Sequence, residues 1–376
     1  MKIIAFYLPQ FHEIPENNAW WGDGFTEWVN VKSAKPLFPG HNQPRVPLNG
    51  NYYNLLDDSV KQWQVDLANQ YGVYGFCFYH YWFGGKLLLE KPVEQFLRNK
   101  SLNIHYCICW ANEHWTNAWS GKNTKVLIEQ HYGTEKEWEE HFNYLLPFFQ
   151  DSRYIQKDGK PLLVIYRPEL IPCLNKMLDF WEEKAREHGF AGIDFAYQHA
   201  GFTVAANRDE SRFTYALEYH PNCAQVFRDV ESFAGLKHIK KAFITYVENS
   251  MGINLREVLK KKRLKHFSYD EIWDYILKMT PRNEKCVPGA FVDWDNTPRK
   301  GVRGMVADGA SPDKFEKYLT EQIQRAREIY KKDMLFVFSW NEWAEGGYLE
   351  PDEKNGYAYL EAVKAALKAK GELEEC

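Results

Sequence analysis

Two glutamates, Glu342 and Glu345, stand three residues apart among tryptophans in the segment FSWNEWAEGGYLEP, residues 338–351. Two carboxyl groups flanking one bond, one protonated and one ionised, are the usual equipment for cleaving a glycosidic linkage. Neighbouring indole rings would exclude water and raise the pKa of the acid. We therefore predict that Glu342 and Glu345 are catalytic. The alternative is that either one only caps a turn or pairs with an arginine.

The spacing of this pair sets a structural condition. Residues i and i+3 of an extended strand point to opposite faces, so Glu342 and Glu345 can act together only if the chain turns between them. Gly346 and Gly347 follow the pair and permit such a turn. We expect the strand to end before Glu345.

The composition favours a carbohydrate ligand. Phe, Trp and Tyr make up 16% of the 376 residues, and many of the 14 tryptophans stand beside polar or charged residues. A sugar-binding cleft uses this mixture, because an aromatic ring stacks on the apolar face of a sugar while polar groups meet its hydroxyls. The net charge of -4 is small for this length, which argues against nucleic acid as a partner.

The cysteines and histidines lack the spacing of a metal site. The seven cysteines contain no CxxC pair, and His80, His114, His199 and His220 form neither HxH nor HExxH. We therefore predict no metal and no other cofactor. The first residues are interpreted as a strand rather than a signal peptide, and no run approaches the ~20 apolar residues of a membrane span. A cytoplasmic protein with reduced thiols is predicted.

Eight short apolar or aromatic runs alternate with helical patterns along the chain. The predicted strands are 3–8, 73–79, 104–109, 161–166, 193–198, 215–220, 289–294 and 334–340. The predicted helices include 58–71, 90–99, 135–149, 173–188, 313–331 and 355–370. This alternation predicts an α/β fold, a (β/α)8 TIM barrel, as a single catalytic domain over residues 1–376 with long loop insertions. An open doubly wound sheet is the alternative, weakened because no Gly-rich phosphate loop follows an early strand.

Polar and aromatic residues concentrate where the predicted strands end. Catalytic residues of a TIM barrel lie at the C-terminal ends of its strands, so we expect these side chains to share one cleft. An alternative for each cluster is that its aromatic rings only pack against loops. The predicted substrate-binding residues are Tyr7, Glu27, Trp28, His80, Trp110, Asn112, Glu113, Trp115, Tyr166, Glu218, Tyr219, Asp293, Trp294, Asp295, Asn341 and Trp343.

Two connections are longer than a barrel needs. The segment of about 9–57 is rich in Pro, Gly and Trp, and we predict an active-site loop in which Glu27 or Trp28 contacts sugar. The alternative is that its tryptophans serve only packing. The segment of about 221–288 is predicted to be a helical insertion with a solvated basic face. Its alternative is contact with an anionic membrane surface or a lipid-diphosphate-linked glycan.

Five long segments resemble the WbsX-like family, whose members are labelled glycosyltransferases of bacterial polysaccharide biosynthesis. That family is related to glycoside hydrolase family 99, the endo-α-1,2-mannosidases and mannanases. The segments are FYLPQFHEIPENNAWWGDGFTEWVNVKSAKPLFPGHNQPRVP, GFCFYHYWF, CWANEHWT, WDNTPR and SWNEWAEGGYLEP, in order from residue 6 to residue 351. The resemblance therefore covers essentially the whole chain and implies a TIM barrel.

The resemblance also implies a retaining mechanism without a covalent enzyme intermediate. One glutamate deprotonates the 2-hydroxyl of the sugar, which attacks the anomeric carbon, and a second glutamate three residues later acts as general acid and then as base. On this resemblance Glu342 is the first and Glu345 the second. Ala344 stands where the hydrolases are expected to have histidine, and this difference bears on the linkage that is recognised.

Three functions stay open. The favoured one is a hydrolase or transglycosylase acting on a bacterial surface polysaccharide, with α-mannosyl-type linkages as one candidate. A nucleotide-sugar glycosyltransferase is the second, because DWD at 293–295 matches the DxD motif that holds a metal and a diphosphate. We instead predict that Asp293 and Asp295 bind sugar hydroxyls or orient Arg299. A glycan-binding protein without catalysis is the third. The predicted partner is therefore an oligosaccharide or polysaccharide, and the oligomeric state is left open.

Overall fold

The computed structural model describes residues 1–116, 125–200, 209–233 and 264–373. Its central sheet contains eight strand positions. They are β1 (Lys2–Tyr7), β2 (Gly75–Phe83), β3 (His105–Trp110), β4 (Lys160–Ile165), β5 (Asp194–His199), β6 (Tyr215–Glu218), β7 (Cys286–Val287 and Gly289–Phe291) and β8 (Met334–Phe338). The two pieces of β7 are separated by Pro288, which has no backbone N–H to donate.

The strands pair in parallel, and the sheet closes into a barrel. β1 lies between β2 and β8, with Ile4 opposite Gly75 and Ala5 opposite Val337. The pairing continues from β2 through β3, β4, β5 and β6 to the first piece of β7. The second piece of β7 pairs with β8, so the path of strands returns to its start. Parallel strands covered on both faces need apolar residues throughout, and every residue of β2 is buried.

Eleven helices connect or flank these strands in the described ranges. They are Pro15–Trp21, Glu27–Ser33, Asp58–Tyr71, Lys91–Arg98, Glu135–Phe149, Leu174–Glu187, Asn222–Phe233, Tyr269–Lys278, Thr297–Lys300, Pro312–Glu328 and Ala358–Ala369. Local sequence explains several of their ends. Asp57 accepts a hydrogen bond from the N–H of Ser59, and Gly72 ends the same helix in the left-handed conformation at φ 81°. Ser311 caps the helix that begins at Pro312 in the same way, by accepting from the N–H of Lys314.

The structure confirms the predicted TIM barrel. Each of the eight predicted strands corresponds to an observed one, and the six predicted helices differ from the observed helices only at their ends. The seventh strand begins at Cys286, earlier than predicted. The described parts of the long segment after β6 include Asn222–Phe233 and Tyr269–Lys278. Most of its basic stretch lies at 234–263, outside the described residues.

The described ranges also bear on the membrane and on the cysteines. No helix within them is long and apolar enough to cross a membrane. They contain six cysteines, all of them free thiols. Cys77, Cys107 and Cys109 are buried in β2 and β3, where they serve as small apolar residues of the barrel wall.

Candidate active site

A cavity of about 330 Å³ opens where the barrel strands end. Seven of the eight strands, or the turns after them, contribute residues to it, and only β5 contributes none among the described residues. The loop after β1 and the turn after β7 complete the wall. Eight predicted site residues line this cavity: Glu27, Glu113, Trp115, Tyr166, Tyr219, Trp294, Glu342 and Glu345.

A tight turn after β8 brings the two predicted catalytic glutamates together. The chain leaves strand geometry after Glu342 and forms a single 3-10 turn over Trp343–Glu345. Gly346 then takes the left-handed conformation at φ 71°, and a Cβ atom there would lie 2.8 Å from the backbone nitrogen of Asp295. Only glycine fits this position. The chain therefore turns between Glu342 and Glu345, as their spacing requires if they are to act together.

Arg299, in the turn after β7, joins both glutamates. Its Nη2 lies 3.1 Å from Glu342 Oε2, and its Nη1 lies 2.9 Å from Glu345 Oε1. Its Nε donates to Glu27 Oε1 at 2.8 Å. Glu27 belongs to the helix Glu27–Ser33 in the loop after β1, so three separate parts of the chain meet here. One guanidinium thus holds three carboxyl groups in the cavity wall.

The cluster retains a proton at neutral pH. Burial raises the pKa of Glu342 to about 8; Arg299 opposes this rise, and the carboxylates of Glu345 and Glu27 add to it. Three ionised carboxyl groups around one guanidinium would leave two negative charges without a partner in a buried place, which is costly. A carboxyl pair that shares one proton has an acid and a base available at once.

A second carboxylate of the cavity has its own arginine. Arg167, which follows β4, forms ion pairs with Glu113 after β3 and with Glu169. Burial raises the pKa of Glu113, and Arg167 opposes that rise. Burial also raises the pKa of Tyr166, and the charges of both Glu113 and Glu345 add to it, which places this phenol near both carboxylates. The cavity wall therefore contains two arginine-paired carboxylate groups and the phenol of Tyr166.

Aromatic rings form much of the remaining wall. The centroid of the Trp115 ring lies 5.1 Å from that of Tyr81, edge to face. The Trp294 ring packs against Phe338 at 5.2 Å. The indole N–H of Trp294 is buried at the wall, and no acceptor for it is found among the described residues. Aromatic rings in a cavity wall are the kind of surface on which a sugar ring stacks.

Tyr7 and His80, both predicted to bind substrate, lie instead between the barrel and its helices. Tyr7 donates to Gln64 of the helix Asp58–Tyr71 at 2.7 Å. The ring of His80 stacks on Tyr144 of a neighbouring helix, with 5.3 Å between centroids. Both side chains are buried on the outer face of the barrel wall. Neither reaches the cavity.

Trp110 and Glu218 are placed in the same way. Trp110 packs against Trp181 on the helix Leu174–Glu187, with 5.9 Å between ring centroids. Glu218 accepts a hydrogen bond from the phenol of Tyr330 at 2.8 Å. The prediction that these two residues converge with the glutamate pair is therefore corrected, since both side chains point away from the barrel axis.

The alternation of side chains along a strand explains these corrections. Successive residues point to opposite faces, so the neighbours of an outward residue point inward. Tyr79 and Tyr81 flank His80 and line the cavity, as Tyr219 does beside Glu218. The alternation shows that only one of two neighbouring residues at each strand end points to the barrel mouth, but it does not show which one. Gln10, Arg299 and Lys300 were also missed as cavity residues. Gln10 follows β1 in irregular backbone, and the other two lie in the short helix Thr297–Lys300, so the periodicity of a strand applies to none of them.

Two asparagines predicted to contact sugar tie neighbouring strand ends together. The side chain of Asn341 accepts from the N–H of Leu8 at 2.7 Å and donates to the carbonyl of Leu8 at 3.0 Å. Asn112 accepts from the N–H of Arg167 and donates to its carbonyl, both at 2.7 Å. Each amide therefore extends the pairing of two parallel strands beyond their last ladder bond, and neither lines the cavity.

The aspartates of the DWD motif fasten the loop after β1. Arg45 Nη2 lies 2.8 Å from Asp293 Oδ2. Asp295 Oδ2 contacts His41 Nε2 at 2.8 Å and accepts from Gln43 Nε2 at 2.7 Å. Burial would raise the pKa of Asp295, but Arg45 and the hydrogen bonds lower it below its usual value. We call this set of contacts the loop clamp.

The loop clamp corrects the predicted roles of Asp293 and Asp295. Both are buried outside the cavity wall, so the structure does not place them against a sugar. Arg299 is held by the three glutamates instead. Over the part of the chain that the structure describes, no group of three or more His, Cys, Asp or Glu side chains is placed to hold a metal ion.

Trp28 and Trp343 pack in a buried layer below the cavity. Trp343 donates its indole N–H to Glu350 at 2.7 Å, and Trp28 donates to the carbonyl of Tyr53 at 2.8 Å. Tyr53 in turn donates its phenol to Glu350 at 2.8 Å. Burial raises the pKa of Glu350 to about 7, and its hydrogen bonds oppose the rise. For Trp28 the packing alternative therefore describes the structure, while Glu27 beside it reaches the cavity.

The family of the chain is identified by comparison with known proteins. A profile of the family described as Glycosyltransferase WbsX matches residues 3–363. The chain belongs to this family. Two relatives, both named uncharacterized protein WxcX, come from Xanthomonas campestris pv. campestris strains B100 and ATCC 33913 and are 35% and 36% identical to it. Each match covers 97% of the chain and 49% of the relative, so the chain spans about half the length of these relatives.

Solved structures share the fold of this WbsX-family chain. The GH99 endo-alpha-mannosidase from Bacteroides thetaiotaomicron matches with a TM-score of 0.55 and 14% identity over 98% of both chains. A structure described as a glycoside hydrolase-like protein matches with a TM-score of 0.54 and 12% identity, over 97% of this chain and 93% of the other. At such identities the likeness shows the fold alone.

Proposed function

We propose that this protein cleaves or transfers glycosidic linkages of a bacterial surface polysaccharide, with Glu342 and Glu345 as its catalytic pair. One observation carries the proposal: both carboxyl groups line an aromatic cavity in the barrel mouth. The pairing with an arginine that was the alternative to catalysis is present, and in this cavity the buried guanidinium of Arg299 holds the two groups side by side. The family description supports the class of reaction. The fold of the GH99 endo-alpha-mannosidase makes α-mannosyl linkages the first to test.

In the first step, the 2-hydroxyl of the sugar displaces the leaving group. Glu342 takes the proton of this hydroxyl, and the 2-oxygen of the sugar attacks the anomeric carbon. The electron pair of the glycosidic bond moves to the leaving oxygen, which receives the proton of Glu345. A 1,2-anhydro sugar remains in the cavity, Glu342 is now protonated, and Glu345 is ionised.

In the second step, the anhydro ring opens. Glu345 takes a proton from a water molecule or from the hydroxyl of an acceptor sugar, and that oxygen attacks the anomeric carbon. The bond from this carbon to the 2-oxygen breaks, and Glu342 returns its proton to the 2-oxygen. Two inversions retain the configuration at the anomeric carbon. Water gives hydrolysis, and an acceptor sugar gives transfer.

The electrostatics of the cluster suit these steps. A sugar hydroxyl is a very weak acid, so a carboxylate with a raised pKa accepts its proton more readily than an ordinary one does. The cycle starts with the shared proton on Glu345. In the free protein the raised pKa of Glu342 places this proton on Glu342 instead. Both carboxyl groups contact one guanidinium, so the proton can change place within the pair without a change of net charge.

A transferase that uses a sugar nucleotide is the second candidate, and the family description favours it. Such enzymes commonly hold a metal and the diphosphate with a DxD motif. In this chain the contacts of Asp293 and Asp295 are those of the loop clamp. This observation favours the glycosidase-type mechanism.

The proposal is tested by incubating the protein with mannan and surface-glycan oligosaccharides, with and without nucleotide sugars and Mg²⁺, and analysing products by mass spectrometry. We expect shortened or rearranged oligosaccharides without any nucleotide sugar. The Glu345→Gln variant is the matched control and should give none. Product that forms only with a nucleotide sugar would support the second candidate. Glycan binding without product in any mixture would instead indicate a binding protein.

A further inference from the structure

The contact between Glu27 and Arg299 lies beside the proposed chemistry but takes no part in its steps. Arg299, Glu27, Glu342 and Glu345 have side-chain exposures of 6%, 4%, 7% and 12%. Burial would lower the pKa of Arg299, but the three carboxylates keep it well above its usual value. The arginine is therefore a fixed positive charge whose position is set from two sides, by the helix Glu27–Ser33 and by the turn after β8.

The titratable groups around Glu342 come from several elements of the barrel mouth. Arg299 and Lys300 belong to the turn after β7, and Glu27 belongs to the loop after β1. Tyr81 of β2 and Tyr219 after β6 face the same space, and the charge of Glu342 raises the pKa of both phenols in addition to the effect of burial. The phenols stay neutral at ordinary pH. The charges that act on Glu342 from outside the pair are thus those of Arg299 and Glu27, while Lys300 lines the same cavity.

We propose that Arg299, anchored by Glu27, is a positioning residue that holds Glu342 and Glu345 as an acid–base pair and sets how firmly the pair keeps its single proton. This inference rests on the proposed function of the pair. The arginine attracts ionised carboxyl groups, and Glu27 partly offsets that attraction. Removing the charge of Arg299 should therefore raise the pKa of the pair, and removing the charge of Glu27 should lower it.

The geometry requires arginine and not merely a positive charge. The planar guanidinium presents donors in a fixed fork, so Nη1 and Nη2 can each hold one glutamate while Nε holds Glu27. A lysine ammonium is a compact charge on a flexible stem and cannot hold three carboxyl groups in these directions. An ion pair that only stabilised the fold would not need three donors in fixed directions, and it would not need to set the pKa of Glu342.

The inference is tested by ¹³C NMR titration of the carboxyl groups in protein labelled at glutamate, with the Glu342 signal identified by its loss in Glu342→Gln. Because a charge within ~4–6 Å moves a carboxyl pKa by about 1–3 units, Glu27→Gln should lower the titration midpoint of Glu342 by at least about one pH unit. Arg299→Lys should shift the midpoint less than Arg299→Gln, which should raise it by at least about one unit. Glu113→Gln, which removes a cavity carboxylate bound to another arginine, is the matched control and should leave the midpoint almost unchanged.

The outcomes separate this inference from the proposed function. Midpoints in Glu27→Gln and Arg299→Gln that match the Glu113→Gln control would overturn the inference, because the two charges would then not act on the pair. If Arg299→Gln fails to fold, Glu27→Gln alone still decides. Opposite shifts in a protein that turns over no glycan would count against the proposed function alone, since the titration needs no substrate.

The same variants give a kinetic readout once a substrate is found. Arg299→Lys should lower kcat by at least about tenfold, with a much smaller change in KM, because the pair is misaligned while the sugar-binding wall is intact. An unchanged kcat in Arg299→Lys would overturn the positioning role.

Discussion

Glu342 combines burial with three charged neighbours, and each acts on its pKa in a definite direction. Burial and two carboxylates favour the neutral acid, and the guanidinium of Arg299 favours the ionised form. The net result is a carboxyl group that loses its proton near pH 8 rather than near its ordinary value of 4.5. Two properties of the protein follow from this single residue.

The first is a pH dependence of stability. The folded protein holds the proton of Glu342 more tightly than the unfolded chain does, so this group contributes stability below about pH 4.5 that is lost as pH rises to about 8. We predict that wild type loses more stability between pH 5 and pH 8 than Glu342→Gln, by about 3–4 kcal/mol. Urea unfolding of both proteins at the two pH values measures the difference. Equal losses would show that Glu342 titrates normally in the folded protein.

The second is a pH dependence of turnover. The proposed cycle needs one proton on the glutamate pair, so kcat/KM should fall as that proton is lost, with a descending limb near pH 8. The apparent pKa of this limb describes the glutamate pair and not one residue, because the proton moves between Glu342 and Glu345. The measurement is a pH profile of kcat/KM on a responsive oligosaccharide. A profile that keeps rising through pH 9 would mean that the active form carries no proton on the pair.

At the scale of elements, the glutamate turn is held by the loop clamp and by Gly346. The backbone N–H of Asp295 donates to the carbonyl of Glu345 at 2.7 Å, which fixes the turn to the end of β7. Arg45 connects the loop after β1 to the same turn, through Asp293 and the carbonyl of Gly346. The long loop is therefore tied to the turn that carries the catalytic pair.

The clamp gives a prediction that separates architecture from metal binding. Asp293→Asn should destabilise the protein by about 1–3 kcal/mol, because the buried guanidinium of Arg45 loses its nearest carboxylate. The control is Asp308→Asn, whose partner His266 is exposed, and it should cost less than about 1 kcal/mol. Thermal unfolding measures both. A wild-type melting temperature that rises with Mg²⁺ and a nucleotide sugar, and no longer does so in Asp293→Asn, would identify a metal–diphosphate site instead.

The sequence was sufficient to predict the strands and helices, but not the side-chain contacts between distant parts of the chain. Apolar runs and caps are local features, so eight strands and the main helices could be predicted from them. The contact of Asn341 with Leu8 joins residues that are 333 positions apart, and nothing local announces it. His80 and Trp110 were assigned to the cavity because the sequence indicates where a strand ends but not which side chains point into the barrel. The two faces follow from the register of the closed barrel, which only the whole sheet determines.

At the scale of the whole molecule, the cavity collects residues from the ends of seven of the eight barrel strands in the described part of the chain. Closure of the sheet by β7 brings the turn with Arg299 beside the turn with Glu342, and the loop after β1 covers both with Glu27. These residues are far apart in sequence, so their meeting depends on the complete barrel. This is why the pair could be named from sequence while Arg299 entered the site only with the structure.

The most direct test of the central claim is the turnover number of Glu342→Gln and Glu345→Gln on an oligosaccharide that wild type converts. Each change keeps the size of the side chain and removes its acid–base function, so kcat should fall by about 10²–10⁴ in both. Asp308→Asn, a change at an exposed side chain that does not line the cavity, should retain wild-type turnover. If both glutamine variants convert the oligosaccharide at the wild-type rate, the pair is not catalytic, and the assignment of this cavity as a glycosidic active site is wrong.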